Sequence, residues 1–216
     1  FDPNPIVPVN HKIKVASSAE KVLNQEIDAV FICTPNNFIK PLTVSALQKG
    51  IHVFAEKPPG INLEEALEMQ SVEQRLNDKV LMFGFNHRHH GSVAKMKEII
   101  EEESLGKILW MRGRYGKEVD ENYLKDWRVN PMESGGGIML DQGIHMLDLF
   151  LYLGGEFDEV KSFVSNLGKV KGLSFEKPER VMTEEKFPFL AALTPLIIFL
   201  DKPLEEITIS KSPLSA

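Results

Sequence analysis

The sequence predicts an α/β protein: a parallel sheet covered by helices, followed by an α+β half in which a helix packs on a sheet. Three observations predict it. Short apolar runs at 27–33, 51–55 and 80–83 alternate with stretches of helical spacing at 39–49 and 63–76. The links between them are short and hold Pro, Asn and Gly. After residue 88 the order changes to a helix (93–103), an alternating strand (108–115) and a long apolar helix behind Gly135-Gly136-Gly137.

Each element has a local reason. The run 27–33 ends in Thr34-Pro35-Asn36-Asn37, a strand followed by a turn. Ile39, Leu42 and Ala46 share one helical face, and Gly50 stops that helix. Asn62 is a good N-cap for the next helix, with Glu64 and Glu65 in its first turn. In the second half, Gly106 closes the 93–103 helix and Gly154-Gly155 end the one that starts near Ile138. A strand is expected at 160–164. From 169 to 216 the chain holds five prolines and no clean strand alternation.

Composition sets bounds. The 216 residues carry 31 acidic and 25 basic side chains, a net charge of −6. The acidic excess is spread along the chain, which argues against nucleic acid as the main partner. The single cysteine, Cys33, cannot form a disulfide within the chain and fits a reducing cytoplasm. No secretory leader is visible at the start. The apolar stretch 187–200 is broken by Pro188 and Pro195 and is too short to span a bilayer. The expected setting is therefore cytoplasmic, without a membrane partner.

Chemistry concentrates at a few places. Asp141, His145 and Asp148 are spaced i, i+4 and i+7, on one helix face. Carboxylates beside an imidazole orient and tune it for proton transfer. The rest of this helix is apolar, so the polar stripe is expected to be buried, and buried polar groups need partners or a task. Glu56-Lys57-Pro58 follows a strand directly. Pro58 holds Lys57 extended, through a peptide that is trans or cis, and a lysine so placed can face a developing alkoxide. The hydroxyl and amides of Thr34, Asn36 and Asn37 suit a ribose or nicotinamide, or simply a turn. Asn86-His87-Arg88-His89-His90 reads as an extended link, with Asn86 and Arg88 as polar contacts to a ligand. Its histidines are not expected to hold a metal, because neighbouring side chains in such a link point different ways.

Four motifs in order resemble the glucose–fructose oxidoreductase, inositol dehydrogenase and rhizopine-catabolism (Gfo/Idh/MocA) family. They are Asp-Ala-Val-Phe-Ile-Cys-Thr-Pro-Asn at 28–36, His-Val-Phe-Ala-Glu-Lys-Pro at 52–58, Gly-Phe-Asn-His-Arg at 84–88, and the stretch from Ser134 to Asp148. The resemblance implies a Rossmann-type NAD(P)-binding domain over 1–88 and an α+β substrate domain with a mainly antiparallel sheet over 89–216, atypical after about 166. It implies hydride transfer between a nicotinamide cofactor and a hydroxyl of a sugar, nucleotide-sugar or cyclitol. Lys57, Asp141 and His145 are the implied catalytic residues and also touch substrate. Thr34, Pro35, Asn36, Glu56, Lys57 and Asn86 are the implied cofactor contacts. Asp2 resembles the acid that pairs with the adenosine ribose and favours NAD, with NADP still open. Arg88, Trp127 and Arg128 are candidate substrate contacts. The stretch 113–117 with Trp127-Arg128 resembles members acting on nucleotide-linked sugars. A homo-oligomer is implied for the complete protein.

Such proteins begin with a strand, a Gly-rich phosphate loop and a helix. The sequence holds none of these before Phe1, so an incomplete N-terminus is expected. An alternative reading is a non-catalytic sugar-binding or partner protein on the same scaffold, since the phosphate loop is absent from the sequence.

Overall fold

The computed structural model describes residues 1–2, 14–76, 78–115, 122–157, 160 and 207–209. In chain order the elements are α1 (Ala19–Leu23), β1 (Ala29–Ile32), α2 (Asn36–Gln48), β2 (His52–Ala55), α3 (Leu63–Gln74), β3 (Leu81–Phe83), α4 (Gly91–Glu101), β4 (Met111–Gly113), α5 (Pro131–Ser134), α6 (Ile144–Gly154) and β5 (Ile207–Ile209). They fall into two compact units, Phe1–Gly84 with Met132–Gly135, and Phe85–Pro131 with Gly136–Ala216.

The first unit is a parallel sheet in the order β1-β2-β3. Ala29 pairs with His52 and Val53 with Leu81. Each strand is short and apolar, as a strand with helices above it must be. Ile39, Ala46 and Leu47 of α2 and Met69 and Val72 of α3 form one buried cluster with Ile32, Val53 and Ala55 of the strands. Phe31, Phe54 and Met82 are register partners. Phe31 is 73% exposed and Met82 46%, so this row lies outside that cluster.

Local chemistry sets the helix ends. Helix α2 starts at Asn36, earlier than the apolar spacing predicts, because Pro35 takes the cap position with φ −53°. It ends at Gln48, and Gly50, just beyond the cap, has φ +76°. Helix α3 is capped by Asn62, whose side chain accepts from the Glu65 N–H at 2.9 Å. Glu65 reaches back to accept from the Ile61 N–H at 2.9 Å. The two side chains thus answer donors at opposite sides of the helix start. Asn62→Ala is expected to cost about 1 kcal/mol. Thermal unfolding would show it as a midpoint lower by roughly 2–4 °C.

In the second unit, β4 and β5 pair antiparallel, Met111 opposite Ile209 and Gly113 opposite Ile207. The strand predicted over 108–115 is cut to Met111–Gly113. Leu109 and Trp110 before it are 82% and 64% exposed, so they have no buried face to join. The strand β5 lies where the sequence offers no alternation. The strand predicted at 160–164 falls outside the described residues apart from Val160. Helix α6 packs against both α4 and β4. Gly113 permits the approach to β4: a Cβ there would stand 3.0 Å from Cζ of Phe150.

Two segments differ from expectation in kind. The helix behind the triple glycine is not uniformly α. Residues Met139–Gly143 form a π-helical turn that leads into α6. Residues Asn86–His89 are a turn of 3₁₀ helix, not an extended link. No described helix is long and apolar enough to cross a membrane.

Candidate active site

In the first unit, the carboxyl ends of adjacent parallel strands gather the polar loops. Ligands of open α/β sheets bind at such ends. Past β1, Thr34 Oγ1 and Asn37 Oδ1 are buried without a hydrogen-bond partner among the described residues. Asn36, 4% exposed, donates from Nδ2 to the Ser134 carbonyl at 2.8 Å. Its amide nitrogen thus has a partner within the first unit.

Past β2, the Lys57–Pro58 peptide is cis and Pro58 is fully buried. The Glu56 carboxylate folds back and accepts from the Lys57 N–H at 3.3 Å. Gly84, past β3, makes room for it, since a Cβ there would stand 3.3 Å from Glu56 Oε2. The Cys33 thiol is pushed up by burial and by the Glu56 charge, even though the residue is exposed at the surface. It is not an activated thiolate. Asp2 is exposed. The strand end expected around it runs into residues 3–13, outside the described set. Asn86 falls in the second unit, at the start of the 3₁₀ turn.

The second unit holds the other cluster. Asp141, His145 and Asp148 are each 6% exposed, which agrees with the buried polar stripe expected from the sequence. Asp141 sits in the π-helical turn, where the backbone bonds one residue further than in an α-helix. Its oxygens are met by Gln142 Nε2 at 2.9 Å and Arg128 Nε at 3.5 Å. Burial and the Asp141 carboxylate push the Tyr123 hydroxyl up.

Arg128 also reaches Asp126 at 3.0 Å and stacks over the Trp127 ring at 4.5 Å. Both residues were expected to touch substrate. In the structure Arg128 lies over the Trp127 ring and reaches Asp141. Arg88, also expected to touch substrate, has a protein partner of its own. Its Nε donates to Asp148 Oδ2 at 2.8 Å and its Nη2 to Oδ1 at 2.5 Å, a two-pronged pair. The Asp148 bond pushes the guanidinium pKa up. The guanidinium also stands 4.9 Å from the Tyr152 ring centre. Arg88 therefore fixes α6 to the 3₁₀ turn, so it positions the helix that carries His145.

Breaking that pair leaves Asp148 as a buried charge without its counterion. Arg88→Met is expected to cost roughly 2–3 kcal/mol, below the usual range for buried pairs. The guanidinium is 40% exposed, which lowers the effect. Denaturant unfolding of the two proteins would measure it.

Sequence reasoning missed the rings around His145. His87 lies flat on it at 4.0 Å between centroids, with planes 17° apart. Tyr115 stands 6.4 Å away at 22°, and Phe85 meets the ring edge-on at 6.5 Å. The 3₁₀ turn makes this possible, and its tight pitch leaves only a weak mark in a polar sequence. Among the described residues no group of three or more ligating side chains is arranged to hold a metal ion.

Comparison with known proteins agrees with this architecture. The oxidoreductase family with an NAD-binding Rossmann fold matches residues 6–85. The GFO/IDH/MocA C-terminal domain matches residues 93–185. Levoglucosan dehydrogenase of Pseudarthrobacter phenanthrenivorans is 34% identical over 142 residues, 65% of this chain and 36% of its own length. D-glucoside 3-dehydrogenase of Escherichia coli is 37% identical over 137 residues, 62% of this chain and 38% of its own. A solved levoglucosan dehydrogenase in complex with NADH and levoglucosan superposes with a TM-score of 0.65 at 32% identity, over 70% of this chain and 41% of that one. The chain thus spans about two fifths of the length of these relatives. Two matches in chain order, to the two domains of one family, on a sheet and helix of the kind its motifs predict, place the chain in the Gfo/Idh/MocA oxidoreductase family.

Proposed function

We propose that the protein to which this chain belongs is an NAD-dependent dehydrogenase acting on a CH–OH group of a sugar or cyclitol. The observation that carries the reading is His145: an imidazole 6% exposed, held by a ring stack on a helix whose polar stripe also bears Asp141. A buried, oriented imidazole beside a carboxylate is equipped to take a hydroxyl proton. The relatives' names support the substrate class, since they act on levoglucosan, glucosides and inositols.

The residues present fit a nicotinamide cofactor. Thr34 Oγ1 and Asn37 Oδ1 are buried polar atoms without a hydrogen-bond partner among the described residues, at a strand end where ribose or carboxamide groups could satisfy them. With Pro35, Asn36, Glu56, Lys57 and Asn86 they make up the proposed cofactor contacts, and Asp2 favours NAD over NADP. When bound, the cofactor accepts a hydride at C4 of its nicotinamide ring.

The chain's own side chains do the rest. His145 accepts the hydroxyl proton. Lys57 steadies the negative charge left on that oxygen and polarises the carbonyl in the reverse direction. Asp141, itself held by Gln142 and Arg128, orients the histidine or the sugar. The protein is proposed to work in the cytoplasm as a homo-oligomer.

A direct test is to titrate the purified chain with NADH and follow the nicotinamide fluorescence, then assay glucosides, levoglucosan and inositols. Saturable NADH binding and turnover of one of these polyols are the expected results. Sugar binding without any cofactor binding would favour the non-catalytic alternative.

A further inference from the structure

The three-histidine stretch at 87–90 has no place in the reaction as described, yet among the described residues it supplies the nearest ring to His145. His87 and His145 stack with centroids 4.0 Å apart and planes 17° apart. That is closer than most aromatic pairs. Tyr115 lies parallel to both, 6.0 Å from His87 and 6.4 Å from His145. His90 meets the outer side of His87 at 5.6 Å and 64°. The backbone explains the arrangement. The 3₁₀ turn Asn86–His89 turns His87 onto α6, and the next residue, Arg88, ties the same turn to Asp148.

Face-to-face stacking has two consequences. It fixes the plane of an imidazole while leaving its nitrogens at the ring edge, where proton transfer takes place. It also sets two titratable rings so close that two positive charges would repel strongly. We infer that His87 is a positioning residue for His145: it holds the plane of that imidazole and restricts the stacked pair to a single positive charge across the neutral range.

Tyr115 and His90 are further titratable rings beside the pair. On its own helix and the turn before it, Asp148 is held by Arg88, and Asp141 by Gln142 and Arg128. From α4, Lys97 is bonded to the Tyr152 carbonyl at 3.0 Å. From β4, Arg112 is exposed. The stacked partner, His87, is the cation-forming group set face to face with His145, so the pair takes up protons as a coupled unit.

The inference rests on His145 as the working base, and its test uses no turnover. Carbon-edited proton NMR can follow the ring C–H groups of the six histidines through a pH titration of the 216-residue chain. In the wild type, the pair should take up its two protons in steps separated by at least about one pH unit. In His87→Phe, which keeps a flat ring but no charge, His145 should titrate in one step, above the lower wild-type step. Its ring-current displacement should persist in His87→Phe and shrink in His87→Leu. Coincident single-step titrations of His87 and His145 in the wild type would overturn the inference, and that measurement needs no variant to fold. So would a His145 resonance indifferent to His87→Leu. A failure of the base assignment would appear differently, as unchanged turnover in His145→Ala.

Discussion

Replacing His145 with alanine is expected to lower kcat by about 10²–10⁴-fold with KM changed only a few-fold, the usual contribution of a positioned acid–base group. The imidazole is 6% exposed and stacked, so its ring is held for one geometry and water does not easily replace it. The pH profile should change as well. A histidine base works in its neutral form, so wild-type kcat/KM falls as pH drops through the pKa of the imidazole. That limb should disappear in the variant. Truncation also removes the stacking partner of His87, so the unfolding midpoint should be recorded alongside. Steady-state rates from pH 5 to 9 decide the matter, and a variant with near-normal kcat and an intact acid limb would remove His145 from the reaction.

The second large effect is expected for Lys57→Met. Loss of a preorganised donor to a developing oxyanion costs on the order of 10²–10³ in kcat. Methionine keeps the length of the aliphatic stem, and Pro58, which is fully buried, still fixes the backbone behind it. Lys57→Arg should not restore the rate, because a planar guanidinium presents its protons from a different position. If Lys57 and His145 serve the same step, the double variant should lose far less than the product of the two single losses. Multiplicative losses would assign them to separate steps, and an active Lys57→Met would end its assignment as the oxyanion donor.

The first unit was largely legible in the sequence because its signals are local. The run ending at Cys33 announces β1, and Asn62 with Glu64 and Glu65 announces α3. Gly50 marks the end of α2 by its need for positive φ. The buried stripe that runs from the π-helical turn into α6 was legible too, since Asp141, His145 and Asp148 stand out among Ile144, Met146, Leu147 and Phe150. What the sequence hid was partnership across distance. Arg88 meets Asp148 sixty residues later, and nothing near Arg88 says that its guanidinium is taken. The stack of His87 on His145 depends on a 3₁₀ turn that replaces an expected extended link. The π-helical turn under Asp141 was likewise invisible, because its residues have ordinary helical character. Residue types reveal chemistry well here, while the assignment of each group to ligand or to protein needs the fold.

The return of Met132–Gly135 to the first unit has a consequence for how the chain is made. Asn36 donates from its side-chain amide to the carbonyl of Ser134, 98 positions later. Gly135, at φ +82°, passes so close to Ile61 that any Cβ would strike the Ile61 backbone. On the ribosome the parallel sheet can therefore assemble as soon as β3 emerges, yet it stays unfinished through some fifty further residues of synthesis. During that interval the side-chain amide of Asn36 awaits a partner that has not been translated. A cut after Gly84, the natural place to divide the sequence, would make that waiting state permanent.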